Sequence, residues 1–375
     1  MILKTNCRLF PGDRPCIPNK TQGIKCDNCS FYSPITFKIL IIKLDAPGDV
    51  LRTTSLLSSL KEKYPDSFIS WVTRESSKDL FYNNPMVDQV LTFENTETIS
   101  RLLEEEFDLL IHPDASPTSS SLAALAKAKE KKGFISNPLG KVVPVNPDAE
   151  EWFEMGAFDE FKKKNTKTYQ QIIHEIAGLE YKRNHILLIL SEKEIQFKNN
   201  FRIKHGLDKF KFLVGLNTGA SKRWQYKKWR LDGYSQLIQK LSESPDTGIL
   251  LYGGPDEEEN NKALMKQFPF LIDTGTKNTL REFFSLIDLT DVLVTGDTMA
   301  LHVATALKKK IVCLFGPTSS TEIEDYGLIK KVIPDLDCLV CYKQTCDFVP
   351  SCMDKISVDM VFNAVQKSIS EIKNK

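Results

Sequence analysis

An α/β fold built from two successive Rossmann-like halves is what this 375-residue sequence predicts. Three observations carry that reading. Short apolar runs alternate with helix-patterned segments at the spacing of βαβ units, which calls for parallel sheets. The first strong run, Phe-Lys-Ile-Leu-Ile-Ile-Lys-Leu at residues 37–44, is almost continuously apolar, as a strand covered on both faces must be. The alternation pauses at residues 180–186 and then restarts, so two halves of similar size fit better than one long sheet.

In the first half, strands are expected at residues 37–44, 68–73, 87–93 and 107–112. Helical spacing marks 50–60, 76–81, 99–106 and the alanine-rich 119–129. Residues 137–149 contain Pro138, Pro144 and Pro147 and read as a surface loop. A helix over 168–179 leads into the linker. In the second half, strands are expected at 212–217, 248–252, 292–295 and 311–315, and helices at 233–241, 257–267, 280–287 and 299–307. An amphipathic helix at 358–372 ends the chain.

Composition narrows the function classes. Apolar residues make up 41% and charged residues 26%, the balance of a folded globular chain rather than a disordered or fibrous one. Fifty basic against forty-nine acidic side chains leave +1, so no global field draws in nucleic acid. Apolar stretches such as 39–42 and 186–190 fall far short of the roughly 20 residues that span a bilayer. Polar residues directly after Leu3 argue against a signal peptide, so a cytosolic setting is expected.

In doubly wound sheets, ligands bind where strand ends enter the next helix. Lys43-Leu44-Asp45-Ala46-Pro47-Gly48-Asp49-Val50 is one such loop. Asp49 there is either a helix cap or a general base, with Gly48 allowing close approach of substrate. No GxGxxG accompanies it, so a nicotinamide or flavin fingerprint is absent. Thr218-Gly219-Ala220-Ser221-Lys222-Arg223 follows the first strand of the second half. It can cradle and neutralise a phosphate, or be a solvated basic loop; as a single-strand nucleic-acid platform it has thin support. Gly296-Asp297-Thr298-Met299-Ala300-Leu301-His302 enters another helix, where free amides favour anions. Asp297 or Thr298 can equally be a simple cap, and His302 a core histidine. Gly253-Gly254-Pro255-Asp256 and Gly316-Pro317-Thr318 complete a set of loops suited to a nucleotide diphosphate.

Those segments, in this order and spacing from about residue 37 onward, resemble glycosyltransferase family 9, the lipopolysaccharide heptosyltransferase family. The resemblance implies a GT-B fold, two facing Rossmann-like domains with a cleft between them, here with a Cys-rich N-terminal extension. It implies inverting transfer of a sugar, typically heptose from ADP-heptose, to a glycan or glycolipid acceptor of the cell envelope, without a catalytic metal or other cofactor. Asp49 then matches the catalytic base, and Lys222 the lysine on the donor phosphates. Asp297, Thr298 and His302 match the donor-binding segment, and Asp256 the ribose loop. Thr218, Gly219 and Arg223 are expected beside the donor. One departure is visible: Met299 stands where the family usually has glycine. The implied division is 1–35 for the extension, 36–180 for the acceptor side, 181–355 for the nucleotide-sugar side, and 356–375 for a helix packing back on the first domain. Peripheral contact with the inner face of the inner membrane is compatible with it. Rival readings are another GT-B enzyme, with a different donor or acting as a nucleotide-sugar epimerase, and a non-catalytic interaction protein stapled by metal.

Eight of the nine cysteines form two sets, Cys7, Cys16, Cys26 and Cys29, then Cys338, Cys341, Cys346 and Cys352. In a reducing compartment thiolate ligation gains over disulfides. The first set suits structural zinc, with an iron–sulfur cluster as rival and free or paired thiols as the plain alternative. For the second set the order is reversed: free or paired thiols lead and a metal is the alternative.

Overall fold

The computed structural model describes residues 2–220 and 226–374, which fall into two compact units. The first unit comprises the chain up to Asp45, Ser55–Phe153 and Ile173–Asn184. Its sheet contains β1 (Lys38–Ile42), β2 (Phe68–Thr73), β3 (Gln89–Thr92), β4 (Glu106–His112), β5 (Lys127–Ser136) and β6 (Val142–Pro144). The strand order is β3-β2-β1-β4-β5-β6, parallel except for the terminal β6. That is the Rossmann order. Residues 39–42 of β1 are wholly buried, which explains their unbroken apolar run.

Two elements of this unit depart from the sequence expectation. The helix expected over 119–129 ends at Leu125, and β5 follows. Its alanine, lysine and glutamate content favours a helix in isolation, but pairing with β4 overrides propensity. Lys129 Nζ lies 2.7 Å from Asp108 Oδ1 on the neighbouring strand, and Phe134 fills the core. Gly133 sits at φ +95°, where an added Cβ would stand 1.9 Å from the His112 carbonyl oxygen. Glycine is therefore required there. The loop expected at 137–149 instead contains β6 and the start of a helix, Pro147–Ala157, because Pro147 occupies the first helical position, where its missing N–H costs nothing.

The cysteine-bearing N-terminus belongs to the same unit rather than standing as a domain of its own. Cys7 bridges Pro34, and Arg8 donates to the carbonyls of Asp66 and Ser67 (2.8 and 2.9 Å) and pairs with Asp88.

The second unit comprises Ala46–Thr54, Glu154–Ile172 and the chain from His185. Its strands are β7 (Phe212–Asn217), β8 (Thr247–Tyr252), β9 (Ile272–Asp273), β10 (Val292–Gly296), β11 (Lys310–Leu314) and β12 (Ile329–Val332). Their order, β12-β11-β10-β7-β8-β9 and all parallel, repeats the Rossmann order. The short β9 and β12 were not visible in the hydrophobic pattern.

The final helix, Val358–Lys373, packs into this unit. Its buried stripe of Val358, Val361, Val365 and Ile369 joins the core of the second unit with Phe212, Leu237 and Val312. Trp229 Nε1 donates to the Ile356 carbonyl at 3.0 Å just before it.

Candidate active site

The segment Ala46–Thr54 follows β1 in the chain but packs with the second unit. It forms the helix Pro47–Thr53, whose proline start and Asp49 in the first turn are ordinary helix-opening chemistry. Asp49 does cap: its Oδ2 accepts the Ala46 N–H at 3.3 Å. Its Oδ1 pairs with Arg52 Nη2 at 2.8 Å, and the side chain remains about one-third exposed. Capping and a chemical role are thus compatible in one residue.

Gly48 brings this helix against a second one, Met299–Ala306. A Cβ on Gly48 would lie 2.8 Å from His302 Cδ2 and 3.5 Å from Met299 Cα. Asp49 and the Asp297–His302 segment, some 250 residues apart in the chain, therefore line one cavity of about 650 Å3. Gly219, Asp256, Thr298 and Met299 line it too.

The charges in this cavity are arranged in pairs. Lys227 Nζ contacts Asp297 Oδ2 at 2.8 Å, and Thr318 Oγ1 donates to the same oxygen at 2.9 Å. Burial pushes the Asp297 carboxyl up, but Lys227 and His302 outweigh it and hold the group below its ordinary value. His302 goes the other way. Burial and then Arg52 lower it to about 4, so its imidazole is neutral at pH 7. Arg52 lies 3.6 Å from the Tyr169 ring centre, measured to its guanidinium carbon. Burial opposes its charge, yet Asp49, Tyr169, Glu322 and Asp297 together keep it firmly protonated. Asn217 Nδ2 donates to Thr295 Oγ1 (2.9 Å) and Thr298 Oγ1 (3.3 Å), fixing the turn into the second helix.

Several expectations are sorted by this geometry. Gly48, Asp49, Gly219, Asp256, Asp297, Thr298 and His302 come together. Thr218 does not line the cavity; its hydroxyl donates to Asn261 Oδ1 at 2.7 Å in the interior, because β7 turns that side chain inward. Lys222 and Arg223 lie outside the described residues. Arg52, Lys227, Glu322 and Tyr342 line the cavity without having been singled out. Arg52 is one turn after Asp49, and Lys227 lies four residues after Arg223 in the sequence, so both had a signal. Glu322 and Tyr342 had none.

All nine cysteines are free. The first set shares one cavity of about 490 Å3, but among the described residues no three His, Cys, Asp or Glu side chains are placed to hold a metal ion. The thiols of a closed zinc site would stand only about 3.8 Å apart at the usual zinc–sulfur bond length. In the second set burial, followed by Cys341, Cys346 and Cys338, raises the Cys352 thiol to about 11.

Two Rossmann-ordered sheets with the acidic helix start and the Asp-Thr turn in one cavity define a protein of the GT-B glycosyltransferase class. The fold is shared with solved structures. A family 9 glycosyltransferase from Veillonella parvula superposes with TM-score 0.71 at 19% identity, over 90% of this chain and 98% of that one. Escherichia coli ADP-heptose LPS heptosyltransferase II gives 0.65 at 18%, over 90% and 100%. The chain belongs to glycosyltransferase family 9 (heptosyltransferase), whose profile matches residues 96–351. Among curated relatives, lipooligosaccharide heptosyltransferase 2 of Campylobacter jejuni is 27% identical over 180 residues, 46% of this chain and only 55% of that protein. Lipooligosaccharide heptosyltransferase 2 of Haemophilus influenzae is 22% identical over 75% of this chain and 84% of its own length. Among the described residues no helix is long and apolar enough to cross a membrane.

Proposed function

We propose that this protein is an inverting glycosyltransferase that moves a sugar, heptose from ADP-heptose in the leading case, onto a lipopolysaccharide or related cell-envelope acceptor on the cytosolic side. The observation that carries this reading is the meeting of Asp49 with the Asp297–His302 turn in one cavity. Solved relatives described as an ADP-heptose heptosyltransferase and as a heptosyltransferase with ADP-2-deoxy-2-fluoro heptose support the donor.

The chemistry follows from the charges. Asp49 takes the proton of the acceptor hydroxyl as that oxygen attacks the anomeric carbon. The carbon–oxygen bond to the diphosphate breaks on the opposite face, and the electron pair leaves with the diphosphate. Amides at the start of Met299–Ala306 meet that charge, and the family resemblance assigns Lys222 and Arg223 to it as well. Cationic side chains serve here in place of a catalytic metal. Neutral His302 leaves the pocket's positive charge to Arg52 and Lys227 and adds a hydrogen-bonding ring beside Gly48. Met299, carrying a side chain where glycine is usual, narrows the phosphate approach. The carboxylate Asp256 lies in the loop assigned to the ribose.

Sugar transfer from ADP-heptose to a heptose-deficient lipopolysaccharide acceptor tests the reading directly. Asp49→Asn should lower turnover by at least about 100-fold while ADP binding persists, the usual weight of a general base. Wild-type protein that binds no nucleoside diphosphate, or an Asp49→Asn variant keeping a tenth of wild-type turnover, would overturn it.

A further inference from the structure

The mechanism above gives no task to Glu322, a carboxyl of the cavity whose charge no ion pair among the described residues takes up, unlike Glu257, which pairs with Lys228 at 2.8 Å. Glu322 sits on the loop after β11, which its backbone pins at two points. Its carbonyl accepts the Tyr169 N–H at 2.9 Å, and its N–H donates to Ser319 Oγ at 3.4 Å. Its side chain is fixed as well: Oε1 accepts the Tyr342 hydroxyl at 2.9 Å, and that hydroxyl oxygen in turn accepts the Ser319 N–H at 3.3 Å. Tyr342 is anchored by its own N–H, 2.9 Å from the Pro317 carbonyl. The other carboxyl oxygen of Glu322 has no hydrogen-bond partner among the described residues, although the residue lines the cavity.

We propose that Glu322, braced by Tyr342, is a specificity-determining residue that hydrogen-bonds hydroxyl groups of the transferred sugar. This rests on the nucleotide-sugar reading of the cavity.

Three observations separate the sugar from the other parts of the donor. Glu322 interacts electrostatically with both Asp49 and Asp297, so it lies in reach of the base and of the phosphate-facing turn, where the sugar must be. The nucleoside is assigned to another loop of the same cavity, Gly253–Asp256. A diphosphate would be repelled by a carboxylate and cannot be its ligand. A polyol is the complementary partner, because each hydroxyl both donates and accepts, and a carboxyl paired with a phenol can answer both needs. Burial, with Asp49 and Asp297 nearby, raises the Glu322 carboxyl above its ordinary value against the opposing pull of Arg52 and Tyr342. That shift widens the range over which the group can also donate.

The test compares two ligands by calorimetry without acceptor: ADP, which lacks the sugar, and ADP-heptose. In Glu322→Leu, ADP affinity should stay within about twofold of wild type. ADP-heptose affinity should fall about 10–100-fold, the weight of hydrogen bonds to a charged group. Glu322→Gln, which keeps both an acceptor and a donor, should recover most of the loss. Tyr342→Phe, which removes only the brace, should show a smaller loss confined to ADP-heptose, and it stands in if the leucine variant fails to fold. Equal losses for both ligands in these variants would mean a structural role and overturn the proposal, as would an unchanged ratio of the two affinities. If wild type binds ADP but does not distinguish ADP-heptose from it, the sugar contact fails while the nucleotide site stands. If it binds neither, the nucleotide-sugar reading itself falls, and the proposal with it.

Discussion

Gly48→Ala is the smallest change that tests how the two helices assemble the cavity. The added methyl would sit 2.8 Å from His302 Cδ2, 3.6 Å from His302 Nε2 and 3.5 Å from Met299 Cα. The first distance is well inside contact, and the backbone at Met299 leaves no slack behind it. His302 has only 7% of its surface exposed, so its ring cannot swing away without displacing neighbours. Overpacking of this kind costs about 1–3 kcal/mol. Alanine in a helix gains about 0.5–1 kcal/mol over glycine, less in a first turn. The net expectation is a loss of about 1–2 kcal/mol, relieved by pushing the helix Pro47–Thr53 outward. Asp49 moves with it, and a shift of roughly 1 Å at a reacting group costs about 100-fold in turnover. Thermal melts of the two proteins, followed by initial rates of heptose transfer, provide the measurement. A variant as stable and as active as wild type would show that the helices are not in contact at Gly48. A stable but inactive variant would show that the loss comes from geometry alone.

The titrating groups give signed expectations. His302 is lowered to about 4 and His112 likewise, both by burial first, so the unfolded chain binds their protons more readily. Stability should be complete above about pH 6.5 and fall as pH drops toward 4, and replacing His112 with glutamine should flatten that decline in melting temperature. Glu322 is raised instead, so its favourable contribution is full below the unfolded carboxyl value near about 4.3 and lost as pH rises through its folded value. Glu322→Gln should therefore melt progressively higher than wild type as pH increases, and a constant difference would contradict the assignment. Glu371 lies 2.7 Å from Lys310 and 2.5 Å from Lys330, which hold it near 2 while its side chain stays one-third exposed. Glu371→Gln should cost about 0.5–1 kcal/mol at low salt and much less at 1 M, measured by urea unfolding; a larger, salt-independent loss would mean the helix is held by more than surface charge.

Local pattern made most of the strands and the chemistry-bearing turns legible. The buried runs at 39–42 and 292–294 are apolar because both sheet faces are covered, and that requirement is written residue by residue. The Asp-Thr turn before Met299 was visible because a strand end entering a helix needs small and hydroxyl residues. Other decisions belong to pairings between distant segments. The lysine-rich β5 is a strand only because β4 offers it an edge and Asp108 a counter-charge. Ala46–Thr54 joins the second unit because Gly48 lets it approach His302, more than 250 positions away. The last helix has an apolar stripe that any sheet could cover, and the second unit's core does. The cysteine spacing allows a metal site, but spacing constrains only the reach of the chain, and among the described residues no three His, Cys, Asp or Glu side chains are placed to hold an ion. Glu322 and Tyr342 carry no motif at all, since a carboxyl–phenol pair 20 residues apart becomes a site only when two loops bring it to the cavity. Periodicity reports what each residue buries; which residues meet is set by the packing energy of the whole chain, and only the tertiary structure states it.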